Sequence, residues 1–235
     1  MNICIIPARG GSKRIPNKNI RLFRGQPILA WSIQAAKEAD CFDSIVVSTD
    51  DQNIADIAQK YGAEVPFLRP AELSDDFTLT KEVIQHAIKF LGLNDSINDS
   101  VCCLYATAPF TQAGDLKKSR DLLSSSSINT TVFTATSFPF PVQRAIRIDS
   151  EGYSQAIDSS AAACRSQDLE PLFHDAGQFY WAKVSTWGEN TNIFDTGLPL
   201  ILPRWRVQDI DTEEDWTRAE LMHATLFPSH EKMEK

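Results

Sequence analysis

The chain has 235 residues, 43% of them hydrophobic, and carries a formal net charge of -8. This size fits one large domain, or one domain with an added arm, and the hydrophobic content is ample for a globular core. The acidic balance argues against a protein that binds nucleic acids or anionic membranes in general.

The apolar runs and the cysteines indicate the compartment. No run approaches the roughly 18 apolar residues of a membrane span. The first apolar run is short and is followed by charged residues rather than a small-residue cleavage site, so we expect no secretory signal. Cys4, Cys102 and Cys103 lie in apolar runs, and the five cysteines form no CxxC pair. We therefore expect buried thiols in a cytoplasmic protein.

Strand and helix patterns alternate over the first half of the chain. Strands are predicted at residues 3–6, 44–48, 101–105 and 130–135, and helices at residues 27–39, 80–91 and 115–123. A further helix ends at Tyr61, with Asp50 or Asp51 as its cap and Gly62 at its C-terminal stop. This βαβα pattern predicts an α/β fold, with a mostly parallel sheet between two layers of helices.

The pattern changes after Thr136. Residues 138–147 alternate like an extended arm, residues 149–152 form a predicted turn, and the chain is polar and irregular up to Pro171. We interpret residues 138–175 as an insertion on the core.

Regular structure is predicted to resume near the C-terminus. Residues 178–184 and 207–210 have strand patterns, and residues 212–215 form a capping box that begins a helix ending at Leu226. The polar tail at residues 229–235 is expected to fray.

A basic, glycine-containing loop follows the first strand. Residues 8–19 contain two glycines, a serine and four cationic side chains. Glycine lets backbone N–H groups approach phosphate oxygens, and the cations supply countercharge, so the loop is interpreted as a polyphosphate site. Gly10-Gly11-Ser12-Lys13 does not have Walker A spacing, and Pro16 interrupts any dinucleotide fingerprint. The alternative is a solvated basic loop.

Asp209 and Asp211 form the second candidate site. Alternate residues of a strand point to the same face, so the predicted strand places both carboxylates together at its C-terminal end. Such a pair suits Mg²⁺, which prefers oxygen ligands and keeps waters for phosphates to replace. The alternative is that Asp211 only caps the last helix while Asp209 is solvated. Beside a phosphate loop the metal interpretation is favoured.

Several candidate residues follow strand ends. In open α/β sheets, ligands bind at the carboxyl ends of the strands, so the basic loop, residues 48–50, residues 106–109 and Asp209/Asp211 can share one cleft. Asp50 has the alternative role of helix cap.

The insertion and the strand after it carry a polar cluster. Its members are Gln143, Arg144, Arg147, Arg165, Ser166, Gln167, His174, Asp175, Gln178 and Tyr180. Arginine can bind a carboxylate through two parallel hydrogen bonds, so the cluster indicates a polar, acidic small molecule such as a sugar acid. His174 is either a general base or a hydrogen-bonded structural residue.

Residues 6–19 strongly resemble the signature of the acylneuraminate cytidylyltransferases, which make CMP-activated sugars of the sialic type. The resemblance extends to residues 47–50, 68–73, 105–109 and 209–211. Within the family, residues 13–15, 138–147, 165–169 and 174–181 are most similar to the pseudaminic acid cytidylyltransferases. Tyr105 stands where the sialic acid branch has a glutamine near the sugar, which argues against N-acetylneuraminate as the substrate.

The resemblance implies an architecture and a set of site residues. It implies a Rossmann-like, three-layer α/β/α nucleotidyltransferase core and a homodimer in which the arm at residues 138–175 helps to close the partner's sugar site. It assigns CTP to Ala8, Arg9, Gly10, Gly11, Ser12, Lys18, Asn19, Arg69 and Thr80. It assigns the sugar acid to Gln143, Arg165, Gln178 and Tyr180. One or two Mg²⁺ ions are expected on Asp209 and Asp211, with Arg9, Lys18 and Asp211 as catalytic residues.

The expected reaction joins CTP and a nonulosonic sugar acid. The anomeric hydroxyl attacks the α-phosphorus in line and diphosphate leaves, with magnesium lowering the hydroxyl's pKa. The alternatives are the same reaction on N-acetylneuraminate, legionaminate or Kdo, a non-catalytic nucleotide-sugar binding protein, and a glycosyltransferase. The intact Asp209/Asp211 pair and the complete loop argue against the non-catalytic protein.

Overall fold

The computed structural model describes residues 1–93, 99–126, 129–189 and 193–228. The predicted tail at residues 229–235 lies outside the described residues. The strands in the described part are β1 Asn2–Pro7, β2 Leu22–Phe23, β3 Gln26–Pro27, β4 Ser44–Ser48, β5 Ser100–Leu104, β6 Thr131–Ser137, β7 Ile146–Ile148, β8 Ser154–Ala156, β9 Phe173–Lys183 and β10 Leu198–Ile201. The α-helices there are α1 Ile28–Ala39, α2 Gln52–Lys60, α3 Thr80–Phe90, α4 Ala113–Ser124, α5 Ser159–Ala163, α6 Val184–Gly188, α7 Ile193–Thr196 and α8 Glu213–Leu226.

Six of these strands form the central sheet, in the order β10-β6-β9-β5-β1-β4. β1 runs parallel to both β4 and β5, and β10 runs parallel to β6. β9 alone is antiparallel to its two neighbours in this sheet, β5 and β6. The prediction of a mostly parallel sheet is therefore confirmed, with β9 as an antiparallel strand in its interior.

Helices cover both faces of the sheet because β1 and β5 are apolar on both sides. On one face, Cys4 and Ile6 pack with residues of α1, α2 and α4. On the other face, Ile3 and Ile5 pack with residues of α3 and α6. The predicted three-layer α/β/α arrangement follows from this alternation.

The cysteines agree with the expectation of buried thiols. Cys4, Cys102 and Cys103 are buried, as is Cys41, whereas Cys164 is exposed, and all five are free. Within the described ranges, no helix combines the length and the apolar character needed to cross a lipid bilayer.

The helix caps settle one open alternative. Asp51, not Asp50, caps α2, because its Oδ1 accepts hydrogen bonds from the backbone N of Asn53 at 2.7 Å and of Ile54 at 3.2 Å. The predicted capping box at the start of α8 is present: Thr212 and Asp215 each accept a backbone hydrogen bond from the other. Both helices thus begin where the sequence predicts.

The strand predicted at residues 207–210 is wrong. The last strand is β10, an edge strand parallel to β6, and the chain between Val207 and Asp211 has no regular structure. β10 contains Pro199, a residue that lacks an N–H and is tolerated at a sheet edge, so the sequence pattern did not reveal it. Ile210 is buried with Ile15 and Trp216 instead of pairing with a strand.

The predicted insertion contains a small antiparallel hairpin. β7 pairs with β8, and Asp149 Oδ1 holds the predicted turn by accepting hydrogen bonds from the N–H groups of Glu151 and Tyr153, both at 2.9 Å. The chain leaves the core after β6 and returns with β9, which begins at Phe173 rather than at the predicted residue 178. The hairpin carries exposed apolar side chains, including Ile146 and Ile148.

Candidate functional site

A cleft of about 640 Å³ lies where the basic loop and the segments after β4 and β5 meet. The residues that line it are Pro7, Arg9, Ser12, Lys13, Arg14, Lys18, Asn19, Arg69, Leu73, Asp75, Asp76, Thr78, Thr80, Val83, Tyr105, Ala106 and Thr107. The structure thus brings together six of the nine residues that were predicted for CTP. The sheet positions these residues, because the carboxyl ends of β1, β4 and β5 meet at the edge of the sheet where the cleft lies.

The basic loop is fixed by contacts that its sequence provides. Ile15 is fully buried in a cluster that includes Phe23 and Trp216. Asn17 adopts a left-handed backbone conformation with φ of 54° and begins a short helical turn, Lys18–Ile20. Asn19 is buried, and its Nδ2 donates a 2.9 Å hydrogen bond to the carbonyl of Arg9. These anchors allow the exposed cations to face the cleft.

Two of the three remaining predicted CTP residues, Ala8 and Gly10, have structural partners. Ala8 is buried, and its backbone N donates to the Ser48 carbonyl at 2.9 Å. The N–H of Gly10 donates to Asp50 Oδ1 at 3.0 Å. A Cβ on Gly10 would lie 2.8 Å from Asp51 Oδ2 and 3.0 Å from Asp51 Cβ, so a larger residue would displace the Asp51 side chain, whereas a Cβ on Gly11 would meet nothing within 4 Å. Asp50 therefore holds the loop rather than capping α2.

Two cations of the loop contact an acidic segment. Arg9 NH1 lies 2.7 Å from Asp76 Oδ1 and donates to the Asp75 carbonyl at 2.8 Å. Lys13 Nζ lies 2.5 Å from Asp76 Oδ2. The two ion pairs hold the pKa of Asp76 below its ordinary value. Residues Asp75 and Asp76 were absent from the sequence-based site, since only the fold brings them to the loop.

The other two cations contact Asp211. Arg14 NH1 lies 2.7 Å from Asp211 Oδ2, and Lys18 Nζ lies 3.3 Å from Asp211 Oδ1. Lys18 also donates a 2.7 Å hydrogen bond to the Ile210 carbonyl. Asp211 does not cap α8, because Thr212 occupies the N-cap. Lys18, predicted to bind phosphate, therefore contacts Asp211, predicted to bind the metal.

Arg69 connects the end of β4 to the acidic segment. Its side chain is buried, with Nε donating to Ser74 Oγ at 3.1 Å and NH1 donating to the Ser48 carbonyl at 3.2 Å. Asp50 lies 3.7 Å from its NH2. Burial lowers the pKa of Arg69, and the charge of Asp50 opposes that shift. This residue is therefore a fixed charge in the cleft wall.

A second cavity, of about 600 Å³, adjoins the first, and Tyr105 lines both. Its lining residues are Tyr105, Thr136, Ser137, Pro139, His174, Asp175, Ala176, Gly177, Tyr180, Arg204, Val207, Gln208, Asp209 and Arg218. Arg204 and Arg218 were missed because no local motif marks them. They supply two cationic groups to this cavity, beside the carboxylates of Asp175 and Asp209.

Asp209 faces this second cavity, two residues before Asp211. Partial desolvation and the neighbouring charge of Asp211 raise the pKa of Asp209 above its ordinary value. The predicted strand that would place Asp209 and Asp211 on one face is absent, because both residues lie in irregular chain. No group of three or more His, Cys, Asp or Glu residues suited to a metal occurs in the described part of the chain. Two carboxylate oxygen donors nevertheless match the preference of a hard divalent cation.

The predicted sugar residues lie in different places. Tyr180 lines the second cavity and donates a hydrogen bond from its hydroxyl to Asp175 Oδ2. Burial is the main cause that raises the pKa of Tyr180. Gln178 is buried away from both cavities, with its Nε2 donating to the Arg206 carbonyl at 2.7 Å. His174 lines the second cavity and bonds through Nδ1 to the Asp175 carbonyl at 2.8 Å.

Gln143 and Arg165 lie on the insertion and line neither cavity. Gln143 Nε2 donates to the Glu170 carbonyl at 2.8 Å. Arg165 is exposed and forms an ion pair with Asp168 at 2.7 Å. One copy of the chain therefore does not bring these two residues to Tyr180.

Comparison with known proteins relates this geometry to a family. Residues 3–186 match the family model described as cytidylyltransferase. The chain is 43% identical over 223 residues to a pseudaminic acid cytidylyltransferase of Campylobacter jejuni, covering 94% of this chain and 96% of that protein. The resemblance stated from the sequence motifs is thereby confirmed.

Two further proteins are similar over nearly their whole length. The CMP-N,N'-diacetyllegionaminic acid synthase of Legionella pneumophila is 33% identical over 230 residues, covering 93% of this chain and 94% of that protein. A structure of CMP:2-keto-3-deoxy-manno-octonic acid synthetase complexed with CTP has a TM-score of 0.70 at 13% identity. That alignment covers 96% of this chain and 99% of the other, which establishes the shared fold.

Proposed function

This chain belongs to the cytidylyltransferase family, and we propose that it converts CTP and pseudaminic acid to CMP-pseudaminic acid and diphosphate. The observation that carries the substrate assignment is 43% identity to the Campylobacter jejuni enzyme over almost the whole of both chains. The cationic cleft supports the same reaction, because it adjoins a second cavity with room for a sugar acid.

The nucleotide is proposed to occupy the cleft at the basic loop. The backbone of residues 8–12 and the side chains of Arg9, Ser12 and Lys18 hold the triphosphate. Asn19, Arg69 and Thr80 lie near the ribose or the base, by the family's arrangement. Arg9 and Lys18 neutralise charge that moves onto the leaving diphosphate, which is the main way in which protein groups assist phosphoryl transfer.

Asp209 and Asp211 are proposed to hold one or two Mg²⁺ ions. Burial raises the pKa of Asp209 and the charge of Asp211 adds to that rise, so a shared cation would stabilise the ionised pair. When bound, magnesium supplies countercharge for the phosphates and lowers the pKa of the sugar hydroxyl. Arg14 and Lys18 hold Asp211 beside the basic loop, two residues from Asp209 in the second cavity.

The sugar is proposed to occupy the second cavity. Arg204 and Arg218 supply cationic groups there for its carboxylate, and Tyr180 supplies a hydroxyl. The anomeric hydroxyl then faces the nucleotide across Tyr105, which is common to both cavities. It attacks the α-phosphorus, and diphosphate leaves on the side of the basic loop.

A second copy of the chain is proposed to complete the sugar site. The hairpin of β7 and β8 exposes Ile146 and Ile148, each 59% exposed, and Tyr153 is 70% exposed. Such apolar exposure is typical of an interface. In a homodimer, the arm of one copy can bring Gln143 and Arg165 to Tyr180 of the other copy. Gln178, two residues before Tyr180 on β9, then stabilises the site through its hydrogen bond to the Arg206 carbonyl. We place this enzyme in the cytoplasm, because its free, mostly buried thiols suit a reducing compartment.

The test is an assay of diphosphate release. The purified protein is mixed with CTP, Mg²⁺ and one of four acids: pseudaminic acid, legionaminic acid, N-acetylneuraminic acid or Kdo. We expect the highest kcat/KM with pseudaminic acid. A preference for legionaminic acid would assign the chain to the chemistry of its Legionella pneumophila relative, and no release with any acid would indicate a non-catalytic nucleotide-sugar binding protein.

A further inference from the structure

Asp76 has an unusual position for a surface carboxylate. Its two oxygens contact two different cations of the basic loop, Arg9 at 2.7 Å and Lys13 at 2.5 Å. All three residues line the cleft that the proposed function assigns to CTP. The carboxylate therefore occupies the side of these cations where phosphate oxygens would bind.

The chain around Asp76 is a turn with its own internal support. Asp75 Oδ1 accepts hydrogen bonds from the backbone N of Phe77 at 2.9 Å and of Thr78 at 2.7 Å. Ser74 Oγ donates to the Pro70 carbonyl at 3.0 Å and accepts from Arg69 Nε at 3.1 Å. Because neither set of bonds involves the side chain of Asp76, the turn does not need that carboxylate in order to form.

We propose that Asp76 is a phosphate surrogate that competes with CTP for Arg9 and Lys13 and that helps to expel diphosphate after the reaction. This inference rests on the proposed function. CTP brings several phosphate oxygens and a larger negative charge than one carboxylate, so it displaces Asp76 when it binds. When diphosphate begins to leave, the carboxylate recaptures the two cations and hinders rebinding.

The strength of the contacts suits such an exchange. The side chains of Arg9 and Asp76 are 36% and 34% exposed, and Lys13 is 80% exposed. Ion pairs with this much exposure are screened by water and are weak, so a polyphosphate can replace them readily. A deeply buried pair would instead obstruct the nucleotide.

The variant Asp76→Asn tests the proposal, since it keeps the shape of the side chain and removes its charge. Glu72→Gln is the matched control, because Glu72 is exposed on the adjacent helical turn, Ala71–Leu73, and the substitution changes the net charge equally. Binding of CTP, of inorganic diphosphate and of cytidine to each protein is measured by calorimetry. Steady-state kinetics then give kcat and the inhibition constant of diphosphate.

We expect Asp76→Asn to bind CTP and diphosphate about fivefold more tightly than the unmodified protein, as loss of a weak competing ion pair predicts. Cytidine binding should not change, and Glu72→Gln should match the unmodified protein in all three titrations. We also expect kcat to fall and inhibition by diphosphate to become stronger, a combination that a merely structural residue would not produce.

Two results would overturn the proposal while leaving the proposed function intact. Weaker CTP binding by Asp76→Asn would mean that the carboxylate prepares the loop for the nucleotide. If Glu72→Gln tightened CTP binding as much as Asp76→Asn, the cause would be the change in net charge rather than the position of Asp76. Failure of the unmodified protein to bind CTP at all would overturn both the proposed function and this inference.

Discussion

The first cavity, proposed for the nucleotide, and the second cavity, proposed for the sugar, are formed in different ways. They are called the nucleotide half and the sugar half below. The nucleotide half comes from the loop after β1 and from residues that follow β4, so the core of a single chain positions it. In the sugar half, Tyr180 lies on the sheet, whereas Gln143 and Arg165 lie on an exposed insertion away from both cavities. In the proposed homodimer, the core of one chain would activate the nucleotide, and recognition of the sugar would depend on assembly.

The largest effect is expected at Asp211, which contacts Arg14 and Lys18 of the basic loop. Asp211→Asn should lower kcat about a hundredfold to a thousandfold, by analogy with loss of a group that stabilises transition-state charge. The fold should persist, because Asp211 is a partly exposed residue of irregular chain rather than a core residue. Diphosphate release at saturating CTP, sugar and Mg²⁺ measures the loss.

Glu214→Gln, at an exposed position in the first turn of α8, is the control and should keep normal turnover. Near-normal turnover of Asp211→Asn with magnesium would remove Asp211 from the metal site.

The second-largest effect is expected on the KM for CTP, with no change in the KM for the sugar. Lys18→Met removes a cation that contacts Asp211 and the Ile210 carbonyl. Because a charge-assisted hydrogen bond is worth about 1.5–3 kcal/mol, the KM for CTP should rise about tenfold to a hundredfold. Initial rates at varied CTP and varied sugar measure both constants. The KM for the sugar should not change, and an unaltered KM for CTP would exclude Lys18 from the site.

A smaller effect is expected in the sugar half. Arg165→Ala should raise the KM for the sugar about tenfold, because the sugar loses a charged hydrogen-bond donor that the partner's arm is proposed to supply. The KM for CTP should stay unchanged. Arg147→Ala, on β7 of the same arm, is the matched control. Equal losses in both arm variants would indicate damage to the arm rather than to a specific contact.

Mixing two defective variants sharpens the same prediction. In a heterodimer of Asp211→Asn with Arg165→Ala, one of the two sites combines an intact core with an intact arm. At a sugar concentration well below KM, where the Arg165→Ala homodimer is slow, random assembly from equal amounts should then restore about a quarter of the activity per chain. Activity no higher than the average of the two variants would show that the arm does not serve the partner.

The smallest effect on catalysis should come from a buried histidine behind the nucleotide half. His223 packs against Trp31 with ring centroids 4.4 Å apart, and burial lowers its pKa from 6.5 to about 4. The unfolded chain therefore binds a proton below about pH 6.5 that the folded chain does not, and the free energy of unfolding falls as the pH drops. Between pH 7.5 and pH 5 this group should remove about 2 kcal/mol.

Urea unfolding at the two pH values measures this contribution. His223→Phe should lose less stability on acidification than the unmodified protein, while its KM for CTP and for the sugar at pH 7.5 stays the same. An identical loss in both proteins would show that other groups cause the acid sensitivity.

The core and the nucleotide half were largely predictable from local sequence patterns. Continuous apolar runs marked β1 and β5, the cap residues marked α2 and α8, and the basic loop is local in sequence. β10 was missed because Pro199 argues against a strand, whereas the edge position tolerates it. Without β10, the following residues were assigned as the last strand.

Contacts between segments that are distant in the sequence could not be predicted from the sequence. Nothing local indicates that Asp76 meets Arg9 and Lys13, or that Asp50 binds the N–H of Gly10. Strand alternation also does not say which face of β9 reaches a cavity, so the burial of Gln178 needed the packed sheet. These features depend on tertiary geometry rather than on composition or period.

The most direct test of the account follows the α-phosphorus of CTP. CTP labelled at that atom is incubated with the protein, Mg²⁺ and pseudaminic acid, and the labelled products are separated. We expect the label to appear in CMP-pseudaminic acid, with one diphosphate released for each molecule formed and no turnover without the sugar. Label in free CMP, or diphosphate release that does not depend on the sugar, would contradict it.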